Sequence, residues 1–362
     1  MKDNKSNKQL SNKILFFLFL PFFFIFFVAI FNYYQDPYKI FKNNFSIDDY
    51  LKKPIRISER ELKYQLIIKN NFDSYLFGSS SSTTLDLTEN KNNFINASFE
   101  GPKIEEIIQY TDYILKHKKP KKIFFELRYY MFTDYNFYPE IAYQLEKNFI
   151  YKFYRLIDFH ITKESFKKFI EVKSFRYLIN KELQNKDIQN ISELEKKRIS
   201  LGIRHYTSRP NQLINEKEFL KRIELLKKIP IDSDYIKEEM NEKKIKKFIL
   251  KLNELDQKNI EYKIFFSPTT IKAQNIKNNT LRKQELSLIK RLIENKKELE
   301  IYYFNKKNEQ TSNYNNFHDH FHYYYDLANK IRDELLLNDK NKLKYSIIIN
   351  NNNYLNSNII QD

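Results

Sequence analysis

Residues Ile14–Phe31 (ILFFLFLPFFFIFFVAIF) form an unbroken uncharged, apolar run. At about 1.5 Å of rise per residue, a helix of this length just crosses a hydrocarbon core roughly 30 Å thick. No other feature restricts the fold so strongly, because such a span divides the chain into a short leader, an anchor and one domain beyond it. Lys2, Lys5, Lys8 and Lys13 precede the run against the single Asp3. The positive-inside rule therefore keeps residues 1–13 in the cytoplasm and sends everything after Tyr33 across the membrane. A cleaved signal peptide is the competing reading, but the run is long for a signal core and the FNYYQDP that follows has no small-x-small cleavage site. Pro21 would kink the helix, which membrane helices tolerate better than soluble ones.

The 362 residues suffice for a core of ordinary size beyond such an anchor. A formal charge of +17 invites a nucleic-acid reading. The lysines are nevertheless spread along the whole chain among abundant Asn and Ile, as in proteins of AT-rich genomes, and an outward-facing domain meets no nucleic acid. A diffuse cationic excess instead suits an anionic neighbour, either the lipid face of a bilayer or a charged envelope polymer. Cysteine is absent, which excludes disulfides, thiolate metal sites and a cysteine nucleophile. The three glycines, Gly78, Gly101 and Gly202, mark places where the backbone turns sharply or approaches a neighbour closely.

Residues 32–71 read as a polar, proline-punctuated juxtamembrane linker ending in a short helix. Beyond it, apolar runs at Asp73–Gly78 (DSYLFG) and Lys122–Leu127 (KIFFEL) flank a helical pattern at Ile104–His117. The same alternation returns with Ile245–Asp256 before Ile260–Phe266 and Leu281–Lys297 before Leu299–Phe304. At least four strands separated by helices predict an α/β fold, a parallel sheet flanked by helices in three layers of the flavodoxin-like kind, over residues 72–337. A charged, aromatic-rich stretch at about 138–240 reads as a helical insertion over the sheet. Residues 338–362 are Asn-rich and low in complexity, so apart from an edge strand at the IIIN run they are expected to be disordered.

Three stretches carry residues fit for chemistry. In Tyr75–Ser82 (YLFGSSSS) a strand ends in glycine and serines, at the sheet edge where open α/β folds place their active sites. A nucleophilic hydroxyl needs such a turn, with free N–H groups beside it to hold an oxyanion. The same serines would serve equally as helix caps. In Phe317–His322 (FHDHFH), Asp319 and His322 stand as D-x-x-H, a spacing that lets the carboxylate reach the imidazole and set its tautomer. His318, Asp319, His320 and His322 would alternatively suit a metal ion, or form an incidental surface turn. In Asn96–Gly101 (NASFEG) a glycine stands between strand and helix, either as an oxyanion donor or for the turn alone.

In their order, these pieces resemble the SGNH (GDSL-type) hydrolase superfamily. Its first block, Gly-x-Ser, corresponds to Gly78-Ser79-Ser80, its second-block glycine to Gly101, and its closing Asp-x-x-His to Asp319 and His322. The single N-terminal span and aromatic-rich C-terminal region further resemble membrane-anchored envelope proteins that accompany polymer acylation, of the D-alanyl-lipoteichoic acid transfer type. The likeness covers about residues 72–132 and 260–335. The superfamily's third block, Gly-x-Asn-Asp, has no counterpart, because no glycine lies between Gly101 and Gly202. Arg128, after the corresponding strand, or Asn96 would have to supply the missing stabilisation.

The resemblance implies a Ser80–His322–Asp319 triad that forms an acyl-enzyme without cofactor or metal. It implies a serine esterase or O-acyltransferase acting on an envelope glycan or glycolipid, with a membrane-bound acyltransferase as a further partner. A non-catalytic scaffold or glycan-binding partner of such an acyltransferase is the alternative that the missing block favours.

Overall fold

The computed structural model describes residues 3–36, 59–89, 93–134, 239–274, 280–337 and 339–354, with short pieces at 156–157, 162–163, 165–166, 201–203 and 224. Most of the expected linker and insertion lies outside the described residues. The chain divides into two compact units, residues 1–61 with 146–192, and residues 62–145 with 193–362.

In the first unit, helix α1 (Asp3–Gln35) runs through Pro21 without interruption. Its side chains are described at Phe17 and from Phe19 onward. The expected span Ile14–Phe31 therefore lies partly outside the described residues, and among these no helix is long and apolar enough to cross a membrane. Near its end the buried Asn32 donates through Nδ2 to Leu156 O at 2.6 Å and Thr162 Oγ1 at 2.8 Å.

The second unit is the expected α/β sheet, with more strands than the apolar runs alone required. Helix α2 (Glu59–Lys69) leads in, followed by β1 (Ser74–Phe77), β2 (Phe94–Asn96), α3 (Ile104–His117), β3 (Lys122–Glu126), α4 (Glu242–Gln257), β4 (Glu261–Phe266), α5 (Thr280–Asn295), β5 (Ile301–Tyr303), α6 (Tyr325–Leu336) and β6 (Ile347–Ile349). The sheet order is β2-β1-β3-β4-β5-β6, parallel except for β6. Helices α3, α4 and α5 pack side by side on one face of the parallel sheet and α6 covers the other.

The period-two geometry of a strand sorts the core into two layers. Leu76, Phe124, Phe265 and Tyr302 point to one face, against Leu327, Ile331 and Leu335 of α6. The alternate residues point to the other, where Phe77 meets Tyr110 of α3 at 6.0 Å and Phe125 meets Phe248 of α4 edge-on at 5.3 Å. Both faces being covered, the strands read as continuous apolar runs, which is why they were visible in the sequence.

The tail departs from expectation in part. Strand β6 stands where the edge strand is expected, but a turn at Lys340–Lys342 and a turn reaching Tyr354 are described as well. The cause is Glu334 of α6, buried at 3% exposure, whose carboxylate accepts the N–H groups of Lys344, Tyr345 and Ser346 and the Ser346 hydroxyl. A buried acceptor that satisfies successive backbone donors orders a segment whose composition alone would leave it loose.

Strands β2 and β3 leave β1 on opposite sides, so the order reverses there. In open α/β sheets a crevice forms beyond the carboxyl ends at such a reversal. Ser80 follows β1 at that place.

Candidate active site

Beyond Phe77 the chain turns through Gly78 and enters one 3-10 turn, Ser80–Ser82. Ser79 caps it, its Oγ accepting the Ser81 N–H at 3.3 Å. Gly78 is required by crowding, since a Cβ there would meet Ser82 Oγ and stand 2.6 Å from Glu126 Cβ and 2.9 Å from Glu126 Oε2. Of the four consecutive serines, Ser79, Ser81 and Ser82 are buried and Ser80 is half-buried. Ser82 spends its hydroxyl on Ser79 O and Ser98 Oγ. The Ser80 hydroxyl lies 2.7 Å from His322 Nε2.

His322 comes from a tight loop closed by a bridge between Phe317 and Tyr323 and by the bond from His318 N–H to His322 O at 2.7 Å. Phe317 and Tyr323 are each 1% exposed and fasten the loop to the α6 face of the sheet. Within it, Asp319 Oδ1 accepts the N–H groups of Phe321 and His322 at 2.8 and 2.9 Å. That arrangement aims the other oxygen, Oδ2, at His322 Nδ1, 2.6 Å away. Burial pushes the Asp319 carboxyl up, but the His322 imidazole and the two N–H groups outweigh it and hold the acid at about 2. An ionised Asp319 keeps the proton on Nδ1, leaving Nε2 as the acceptor for the serine hydroxyl.

The other histidines have different destinations. His320 is buried and its Nδ1 lies 2.8 Å from Thr270 Oγ1, while its carbonyl accepts the Thr270 N–H at 3.0 Å. The His318 ring packs edge-on to Tyr324. Among the described residues no three His, Cys, Asp or Glu side chains gather as metal ligands.

Gly101 turns in the left-handed region at φ 55°. It follows Phe99, whose N–H bonds Gly78 O at 3.1 Å, so it stands on the same sheet edge as Ser80. Asn96 requires correction as an oxyanion donor. Its side chain is wholly buried, Nδ2 donates to Ser82 O and Leu85 O at 2.8 Å each, and Oδ1 accepts the Ser98 N–H. Both amide hydrogens are committed to holding the serine turn against β2. Arg128 is likewise not presented to a substrate; it is 5% exposed, with Nε 2.7 Å from Glu126 Oε1 and Nη1 3.4 Å from Glu285 Oε1.

Glu126, Glu285, Asn305, Thr269 and Thr270 complete the site's support, and sequence reasoning missed them. The one available signal was a carboxylate closing an otherwise apolar strand in KIFFE, with Arg128 two positions on. A buried acid requires a partner. No protein-family model, no curated protein and no solved structure matches the chain.

Proposed function

We propose that this chain is a serine esterase or O-acyltransferase of the SGNH type, anchored in the cell membrane by its N-terminal helix, with its α/β domain outside the cytoplasm. The observation that carries the reading is the hydrogen-bonded line from Ser80 Oγ to His322 Nε2 at 2.7 Å and from His322 Nδ1 to Asp319 Oδ2 at 2.6 Å. A half-buried hydroxyl in that line sits at the sheet reversal, where substrates of this fold class bind.

In the reaction, Ser80 Oγ attacks an ester carbonyl while His322 Nε2 takes the hydroxyl proton and Asp319 stabilises the imidazolium. The N–H of Ser80 serves as oxyanion donor, among the described residues having no acceptor bonded to it. Gly101 N–H is the proposed second donor. The alcohol leaves with the proton returned from His322, and the acyl group remains on Ser80. Water then completes a hydrolysis, or a sugar hydroxyl completes a transfer.

The net charge of +17 suits an anionic envelope glycan or glycolipid. The anchor rests on the apolar run Ile14–Phe31 within α1 and on its outward phenylalanines, Phe22, Phe23 and Phe24 being 68–72% exposed.

Labelling of the purified chain with a fluorophosphonate probe tests the reading. Wild type is expected to label, and Ser80→Ala and His322→Ala to remain unlabelled. A folded wild type that stays unlabelled beside reactive serine hydrolases would instead favour a scaffold that binds glycan or an acyltransferase, the reading to which the missing third block points.

A further inference from the structure

Glu126 closes β3 with its side chain wholly buried. Its Oε2 accepts the Ser79 N–H at 2.6 Å and its Oε1 pairs with Arg128 Nε at 2.7 Å. Arg128 Nη1 reaches Glu285 Oε1, and Glu285 Oε2 accepts from Asn305 Nδ2 at 2.8 Å. Asn305 Oδ1 in turn accepts the N–H and O–H of Thr269 at 3.0 and 2.7 Å. Thr270, next in the chain, meets His320 through side chain and backbone. The line runs beneath the carboxyl ends of β1, β3, β4 and β5, from the peptide before the nucleophile to the loop that holds Asp319 and His322.

The charges along this line explain why Arg128 belongs in it. A carboxylate on the Ser79 N–H orients the peptide that precedes Ser80, and so presents the next N–H outward. The same carboxylate also sets a negative charge beside the point where an oxyanion would grow, and in a buried setting that repulsion is weakly screened. Arg128 offsets it at 2.7 Å. Its Nη2 is buried with no hydrogen-bond acceptor among the described residues, as fits a guanidinium held for its charge rather than for a full set of bonds. Glu285, the second acid, stands farther from the guanidinium, 3.4 Å against 2.7 Å for Glu126, and burial pushes its carboxyl up against the pull of Arg128 and Asn305.

We infer that Glu126 and Arg128 are a positioning pair for the serine turn: Glu126 presents the Ser80 N–H to the oxyanion, and Arg128 neutralises Glu126 so that the turn bears no net negative charge. The pair takes the place of the absent third block by presenting a backbone donor correctly instead of adding another side-chain donor. The inference rests on the reading of Ser80 as nucleophile.

The test is the rate of fluorophosphonate labelling of the full chain in detergent micelles, with folding followed by circular dichroism. Arg128→Met is expected to label about 100-fold more slowly than wild type, the scale on which lost oxyanion stabilisation registers. Glu126→Gln with Arg128→Met is expected to recover to within about tenfold of wild type, because Gln still accepts the Ser79 N–H and no bare carboxylate remains. A folded Arg128→Met that labels within about threefold of wild type overturns the pair. Should Arg128→Met not fold, the double variant decides alone, and its failure to label while folded overturns the pair. Ser80→Ala separates the two readings. If wild type labels no faster than Ser80→Ala, the nucleophile assignment itself falls and the pair with it.

Discussion

Asp319 orients the imidazole through one oxygen and shapes its own loop through the other. Asp319→Asn preserves the loop's shape but removes the ionised partner of Nδ1, so labelling should slow by on the order of 10⁴-fold with little loss of fold. The carboxyl is held at about 2 against an ordinary 3.8. A depressed acid contributes stability that is complete above the unfolded value and lost as pH falls toward the folded one. The urea midpoint of wild type should therefore fall between about pH 4 and 2 more steeply than that of Asp319→Asn, and parallel curves would show that Asp319 is not so held. Gly78→Ala should destabilise the chain by about 1–3 kcal/mol in thermal unfolding, because its methyl meets Glu126 and Ser82 together. Ser80, Asp319 and His322 were legible as residues of a type and order. That Asn96 is spent on Ser82 O and Leu85 O was not, because a hydrogen-bond partner 11 to 14 positions away leaves no local pattern.

Helices and strands were legible in proportion to how their burial repeats along the chain. Glu106 of α3 reaches back to the Lys103 N–H at 2.9 Å, a capping arrangement with a local sequence sign. Strand β2 is three residues long and corresponds to the strand expected before Gly101, while β6 corresponds to the edge strand expected at the IIIN run. What holds β6 in place could not be read, since Glu334 is ten residues or more before the groups it binds. Glu334→Ala leaves three backbone donors without their acceptor and should cost on the order of 3 kcal/mol. Hydrogen exchange locates the effect: the amides of Tyr345 and Ser346 should lose protection while those of β1 and β3 keep theirs. Uniform loss across the sheet would instead make the C-terminal strand part of one cooperative core.

For the whole molecule, the absence of cysteine turns topology into a direct measurement. Lys342, whose side chain is 71% exposed, is a site where a single introduced thiol should react with a membrane-impermeant maleimide on intact cells. Ser6→Cys should react only after the membrane is opened, as the positive-inside rule requires. Reaction of Ser6→Cys, and not of Lys342→Cys, on intact cells would reverse the orientation and remove the envelope substrate from consideration.

Period and order are one-dimensional properties, and the chain's own sequence determined what depends on them: an apolar run of spanning length, an α/β alternation, and a Gly-x-Ser followed far downstream by Asp-x-x-His. Tertiary structure alone decided which serine faces His322, that His320 turns inward to Thr270, and that Glu126, Arg128 and Glu285 share one buried line. Those outcomes depend on side chains separated by up to 242 positions meeting within hydrogen-bond distance. Such a meeting is settled by the register of the parallel sheet, which sets the carboxyl ends of β1, β3, β4 and β5 side by side.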